Sequence, residues 1–391
     1  MMEAALHRAQ ALLAHAREHT DEMVSYVSEL AAMESPTDVP ESQQPVQEKL
    51  SASLRELGYS VRRIPGQDCG GHLWAVPGER TRGMPGQLLI GHTDTVWPQG
   101  TLNTMPVEVE GDVLRGPGTF DMKAGLTQII FALKALRDLE LEPPATPVVF
   151  INSDEETGSP ESQRTVAHIA RRVCRALVPE PALGETGRLK TARRGIAQYE
   201  IHITGKAAHS GLDPQGGASA VQELAHVIQA VHALTDHQRG VSLNVGVVEG
   251  GTRENVIAAE ARALVDVRML RLADWEEVHQ RMEALTAVTP GTSLEVRGGL
   301  VAPPMERTPR NRRLWAAAQG AAERLGITLE EDTSGGGSDG NTTSQHTATL
   351  DGLGAVGDGA HATHEHLRIS HLVERTALLA ELLMAPVDDD G

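Results

Sequence analysis

Cysteine is nearly absent from this sequence: its 391 residues include two, Cys69 and Cys174. Two cysteines cannot build a disulfide framework and suit a reducing compartment. Aromatic residues are few, with 4 Trp, 3 Tyr and 3 Phe, yet a hydrophobic fraction of 40% still allows a sizeable core. Positive charge is short, 35 Lys and Arg against 53 Asp and Glu, for a net charge of −18. A field of that sign repels phosphate backbones and excludes nucleic-acid binding as the main task. No apolar run approaches the roughly 20 residues of a membrane helix. Glu3, His7 and Arg8 stand where a signal peptide needs apolar residues. The expectation is a cytoplasmic protein with no membrane or nucleic-acid partner. Its length exceeds what one core normally covers and predicts two domains.

What is present is a regular alternation of elements. Residues 4–32 carry Leu6, Leu13, Met23, Val27 and Leu30 at helical spacing, and a second helical stretch follows the prolines at 36, 40 and 45. Gln87–Ile90 and Pro147–Asn152 read as strands, with a helix over 126–139 between them, which predicts an α/β sheet. Near residue 195 the texture changes. Tyr199, Ile201 and Ile203 alternate with Glu200 and His202, and the order that follows is β-α-β-β-α-β, a split βαβ or ferredoxin-like unit. The fold class expected is therefore α/β in two domains. A larger α/β domain spans 1–193 and 304–391, and an α+β ferredoxin-like domain is inserted at 194–303.

Chemistry-bearing residues cluster in the turns. In GHTDTVW (91–97), His92 and Asp94 are i and i+2 at a strand end and face the same way, so Asp94 could hold the second nitrogen of a metal-binding His92. Asp121 stands between a rigid Gly/Pro loop and a helix, where it could equally be a helix cap. Asp154, Glu155 and Glu156 follow a buried strand; adjacent glutamates seldom point the same way and can divide the work, one as ligand and one acting on water. Glu180, and the group His361, His364, Glu365 and His366, are unremarkable singly. Together His, Asp, Glu and His in such turns are the ligand types of a hydrolytic metal site. Two metals roughly 3.5–4 Å apart need such a mixed set with one bridging carboxylate. GGSDG (336–340) fits the G-x-S-x-G pattern of a serine hydrolase around Ser338, but no clear strand is predicted before it. GLGAVG (352–357) leads into no helix and fails the context of a dinucleotide loop.

The motifs taken together resemble the M20 metallopeptidase family, most of all its glutamate carboxypeptidase branch. GHTDTV, GPGTFDMKAG, SDEETGS, Glu180-Pro181, GKAAHSG, GGGSD and GAH occur in the family's order over about residues 91 to 361. The resemblance implies that His92, Asp121, Glu156, Glu180 and His361 are metal ligands, with Asp121 bridging. It implies that Asp94 orients His92 and that Glu155 is the general base. His209 is similar to the family histidine that serves the partner subunit's site, which implies a homodimer built on the inserted domain. Asn255, Arg268 and the Gly335–Gly336–Gly337 loop match positions that contact substrate, and Arg188 is similar to a base found in glutamate-releasing relatives.

The activity so implied is metal-dependent hydrolysis of a small-molecule amide or peptide bearing a free carboxylate. It would use two divalent ions, zinc by ligand type, with cobalt or manganese sharing the same donors. The alternative within the family is an N-acyl amino acid deacylase that releases acetyl or succinyl groups. A non-catalytic binding protein would be expected to lack the base or a ligand, and none is missing. No role is assigned to His364 and His366.

Overall fold

The computed structural model describes residues 2–387 apart from Arg80 and Arg82. Contacts divide the chain into two units. One is Met1–Thr191 with Arg307–Ser334 and Ser338–Gly391, and the other is Ala192–Glu306 with Gly335–Gly337.

The large unit begins with helices α1 (Met2–Glu18) and α2 (Thr20–Ala31). The single helical stretch expected over 4–32 is thus broken at His19, whose ψ of 17° leaves the helical range. Helix α3 (Gln44–Glu56) leads to β1 (Tyr59–Ile64), β2 (His72–Pro77) and β3 (Gly86–His92). Two three-residue strands, β4 (Glu108–Glu110) and β5 (Val113–Arg115), precede α4 (Ala124–Asp138). Strand β6 (Thr146–Asn152), helix α5 (Gln163–Ala170), β7 (Val173–Val178) and β8 (Leu189–Arg193) follow.

The small unit is built of β9 (Gly195–Thr204), α6 (Ala220–His232), β10 (Ser242–Gly250), β11 (Glu260–Met269), α7 (Leu272–Glu283) and β12 (Ser293–Ala302). This is the β-α-β-β-α-β order expected, in an antiparallel sheet ordered β10-β11-β9-β12. Alternation explains it: Tyr199, Ile201, Ile203, Ala263, Val265 and Val267 are buried on one face against Leu224, Val227 and Val278 of the helices. Each large apolar side chain so buried contributes roughly 1.5–3 kcal/mol relative to exposure.

The chain ends with α8 (Pro309–Leu325), β13 (Glu331–Ser334), α9 (Asp339–Thr343), β14 (Ala348–Asp351), β15 (Gly357–Asp358), β16 (His366–Arg368) and α10 (Ile369–Leu383). The eight-stranded sheet of the large unit runs β1-β2-β6-β3-β7-β14-β8-β13. Its centre, β6-β3-β7-β14, is parallel. Strands β3 and β6 are buried almost throughout, as central parallel strands covered on both faces must be. Short strands β15, β16, β5 and β4 form a separate antiparallel sheet. No described helix is long and apolar enough to cross a membrane.

Candidate metal centre

The carboxyl ends of neighbouring parallel strands are where an open α/β sheet presents its chemistry. Here β3 ends at His92, β6 runs into Glu155 and Glu156, and β7 leads to Glu180. Parallel register sets His92 beside Asn152, and Thr93 continues the ladder by donating its N–H to the Asn152 carbonyl at 2.9 Å. Glu155 and Glu156 start a single 3-10 turn closed by Gly158, whose φ of 90° admits glycine without strain. Asp121 lies in an irregular turn before α4, entered through Gly118 at φ 71°. His361 is in the left-handed region, φ 60°, on the loop between β15 and β16.

These loops bring the seven residues expected of the site together. His92 Nε2 stands 3.4 Å from Asp121 Oδ1 and 3.4 Å from Glu180 Oε1. His361 Nε2 stands 3.6 Å from Asp121 Oδ2 and 3.1 Å from Glu156 Oε2. Two donor groups result, His92–Asp121–Glu180 and Asp121–Glu156–His361, and Asp121 belongs to both. Glu155 is adjacent to them, its Oε2 3.9 Å from His92 Nε2, without being a member of either.

Asp94 organises this arrangement. The His92 Nδ1 is 2.9 Å from the Asp94 backbone carbonyl and 3.4 Å from its carboxylate, so Nδ1 carries a proton and Nε2 is the nitrogen that would face a bound cation. The Asp94 carboxylate also accepts the N–H groups of Glu155 and Glu156, at 3.3 and 3.1 Å, and the Thr37 hydroxyl at 2.9 Å.

Buried donor atoms remain without partners. His92 Nε2, Asp121 Oδ1 and Glu156 Oε1 make no hydrogen bond among the described residues. The electrostatics agree. Burial and the charge of Glu180 push Glu155 well above the carboxylate range, and burial likewise raises Glu156. Burial opposes charge on His92, yet the carboxylates of Asp121, Asp94 and Glu180 carry its pKa well above the imidazole value. Glu156 raises His361 to about 9. A pocket with this excess of carboxylates is suited to cations.

Sequence reasoning left Glu365 without a role. It is fully buried, and its carboxylate accepts the N–H groups of Gly118, Phe120 and Asp121 at 2.9–3.0 Å and the Trp97 indole N–H at 2.7 Å. Burial pushes Glu365 up to about 7. Its task is to hold the turn that carries Asp121. The only sequence signal was its place beside His361.

The remaining expected residues are held elsewhere. In the small unit, His209 is exposed and its Nδ1 accepts the N–H groups of Gly211 and Leu212 at 3.1 and 3.2 Å. Asn255 is its neighbour, its carbonyl accepting the Ser210 N–H at 3.0 Å. Arg268 donates to Asp266 at 2.9 Å. Arg193 donates to the carbonyls of Gly336 and Gly337 at 3.1 and 2.8 Å, and Gly335 has open space about its α-carbon. In the large unit, Arg188 is paired with Asp332 at 2.5 Å. His364 and His366 are not members of either donor group.

One expectation is corrected. Strand β13 does precede GGSDG, and helix α9 follows it. Ser338 nevertheless caps α9, accepting the Gly340 N–H at 2.9 Å, and donates to Asp351 at 2.6 Å. A serine so occupied, with a carboxylate rather than an imidazole beside it, is a helix cap and not a nucleophile.

The chain is 29% identical to carboxypeptidase G2 of Pseudomonas sp. (strain RS-16) over 346 residues, 86% of this chain and 82% of that protein. It is 29% identical over 286 residues to acetylornithine deacetylase of Proteus mirabilis (strain HI4320), 67% of this chain and 70% of that protein. Among solved structures, aminopeptidase PepT from Bacillus cereus superposes with a TM-score of 0.80 at 22% identity, covering 93% of this chain and 98% of its own. A dinuclear metal binding peptidase of the M20 family from Bacillus subtilis superposes with a TM-score of 0.69 at 16% identity, covering 94% and 98%. Residues 88–385 match the model of peptidase family M20/M25/M40, and the chain belongs to that family as an M20-type metallopeptidase/amidohydrolase.

Proposed function

We propose that this chain hydrolyses the amide bond to a C-terminal or N-acylated amino acid that leaves with a free carboxylate, glutamate first among them. The observation that carries this reading is the convergence of buried, unpartnered His92 Nε2, Asp121 Oδ1 and Glu156 Oε1 within two donor groups that share Asp121. The donor set of imidazoles and carboxylates fits a pair of divalent ions, zinc first, with cobalt and manganese sharing the same ligands. His92, Asp121 and Glu180 would hold one, and Asp121, Glu156 and His361 the other. Bound there, the pair supplies Lewis acidity and a water acidified towards about pKa 7.

The chain's own residues do the rest. Glu155, beside both groups and outside them, takes the proton of the attacking water and returns it to the leaving amine. Asp94 holds His92 and the Glu155–Glu156 turn in one register. His209 keeps its proton on Nε2, because Nδ1 accepts two backbone N–H groups, and that donor suits a tetrahedral oxyanion. In this reading the enzyme is a homodimer and His209 serves the other copy's site. Arg268, Asn255 and the Gly335–Gly337 loop take the substrate carboxylate, since a guanidinium grips such a group bidentately. A cytoplasmic location accords with Cys69 and Cys174 both being free thiols.

A deacylase of acetyl or succinyl amino acids is the second reading. It is favoured by the Arg188–Asp332 pair, which occupies the base offered for an acidic substrate side chain. Zinc-loaded protein incubated with N-acyl amino acids and dipeptides, with the free amino acids identified by mass spectrometry, separates the two. Selective release of glutamate or aspartate supports the carboxypeptidase. Release of other amino acids from acetyl or succinyl conjugates supports the deacylase. No release from metal-loaded protein would overturn both.

A further inference from the structure

A second set of metal-type donors lies outside the site just described. Cys69 is in the loop between β1 and β2, His72 opens β2, and Asp154 follows β6. Strands β2 and β6 are antiparallel neighbours with Leu73 opposite Ile151, which brings His72 level with the end of β6. One ligand atom from each of Cys69, His72 and Asp154 lies within 4.8 Å of the other two, and all three residues are at least nine-tenths buried.

Two of the three residues hold a buried polar atom that no hydrogen bond uses among the described residues. Asp154 Oδ2 accepts the N–H groups of Glu161 and Ser162 at 2.8 and 3.0 Å, which fixes the carboxylate and leaves Oδ1 buried without a partner among the described residues. His72 Nδ1 is likewise buried and unpartnered. The Cys69 loop is held against this turn, since the Glu161 carboxylate accepts the N–H groups of Gln67 and Asp68 at 2.7 and 2.6 Å. A cleft of about 500 Å³, lined in part by Asp38, Asp68, Cys69, Asp154 and Glu161, opens beside it and gives a cation an acidic approach.

We propose that Cys69, His72 and Asp154 bind a third divalent ion of the zinc class, in a site separate from the two groups around Asp121. A sulfur, an imidazole nitrogen and one carboxylate oxygen select a borderline-soft ion over magnesium or calcium. Cys69 releases its thiol proton to solvent as the sulfur–metal bond forms. The ion would tie the Cys69 loop to the residue immediately before Glu155, a clamp behind the turn that carries the proposed base.

The test is spectroscopic and uses the full chain loaded with cobalt(II). Wild type and C174S are expected to show a near-ultraviolet thiolate-to-cobalt charge-transfer band that C69S lacks. Elemental analysis of the zinc-loaded proteins should find one ion fewer per chain in C69S and H72Q than in wild type. The readout is that difference, so it holds whatever the occupancy around Asp121. A wild-type protein without the band would overturn the proposal, and so would a band that survives in C69S and vanishes in C174S. Should C69S not fold, the wild-type spectrum and the metal content of H72Q decide it.

Discussion

In the large unit, strand ends and loops bring two histidines and five acids together and leave His92 Nε2, Asp121 Oδ1 and Glu156 Oε1 without hydrogen-bond partners among the described residues. In the small unit charged side chains of the sheet meet one another at the surface or half-buried: Arg297 meets Glu295 at 2.8 Å, and Arg262 bonds Glu200. Burying an unpartnered polar group opposes folding, whereas an exposed ion pair is nearly neutral. The difference teaches where to look for function. A fold keeps the first arrangement when a ligand completes it, and an exposed pair such as Arg297–Glu295 needs none.

Substitutions should separate the two regions accordingly. The largest effect belongs to Asp121→Ala, which removes the carboxylate common to both donor groups. Elemental analysis should show loss of the ions they hold, and amide hydrolysis should fall below detection. Glu155→Gln should instead keep its metal and lose turnover by about 10²–10⁴-fold, the range for one general base. Metal lost together with turnover in this variant would make Glu155 a ligand. Asp94→Asn should act through His92, lowering metal affinity or activity by about 10–100-fold, as removal of such an orienting partner does. An apparent metal affinity equal to that of wild type, with activity intact, would show that the backbone carbonyl of residue 94 suffices. At the other extreme, Arg297→Ala in the small unit should leave the melting temperature within experimental error and metal content unchanged. A clear drop in either would end the contrast between the units.

The parts of this structure that repeat were legible in the sequence. Alternation in 195–204 gave the small sheet its inward face, and the apolar runs 87–90 and 147–152 marked the central strands that end at His92 and near Glu155. Periodicity could not show the break at His19, because apolar spacing continues through it. Strands β4, β5, β15 and β16 are two or three residues long, too short for any pattern to register. Strand β13, Glu-Asp-Thr-Ser, is polar and escaped notice for that reason. At the site, the ligand types could be read from the turns, but their partnership depends on sheet register between segments far apart in sequence. Glu365 is the sharpest case. Its partners, Gly118, Phe120 and Asp121, are about 245 positions away, and their backbone N–H groups carry no side-chain signal.

Anomalous X-ray scattering at the zinc edge from crystals of the zinc-loaded protein tests the central claim most directly. Two peaks are expected, one on each side of the Asp121 carboxylate, the first against His92 and Glu180 and the second against Glu156 and His361. A map with no density beside Asp121, or with a single ion that one donor group alone accounts for, would contradict the two-metal site.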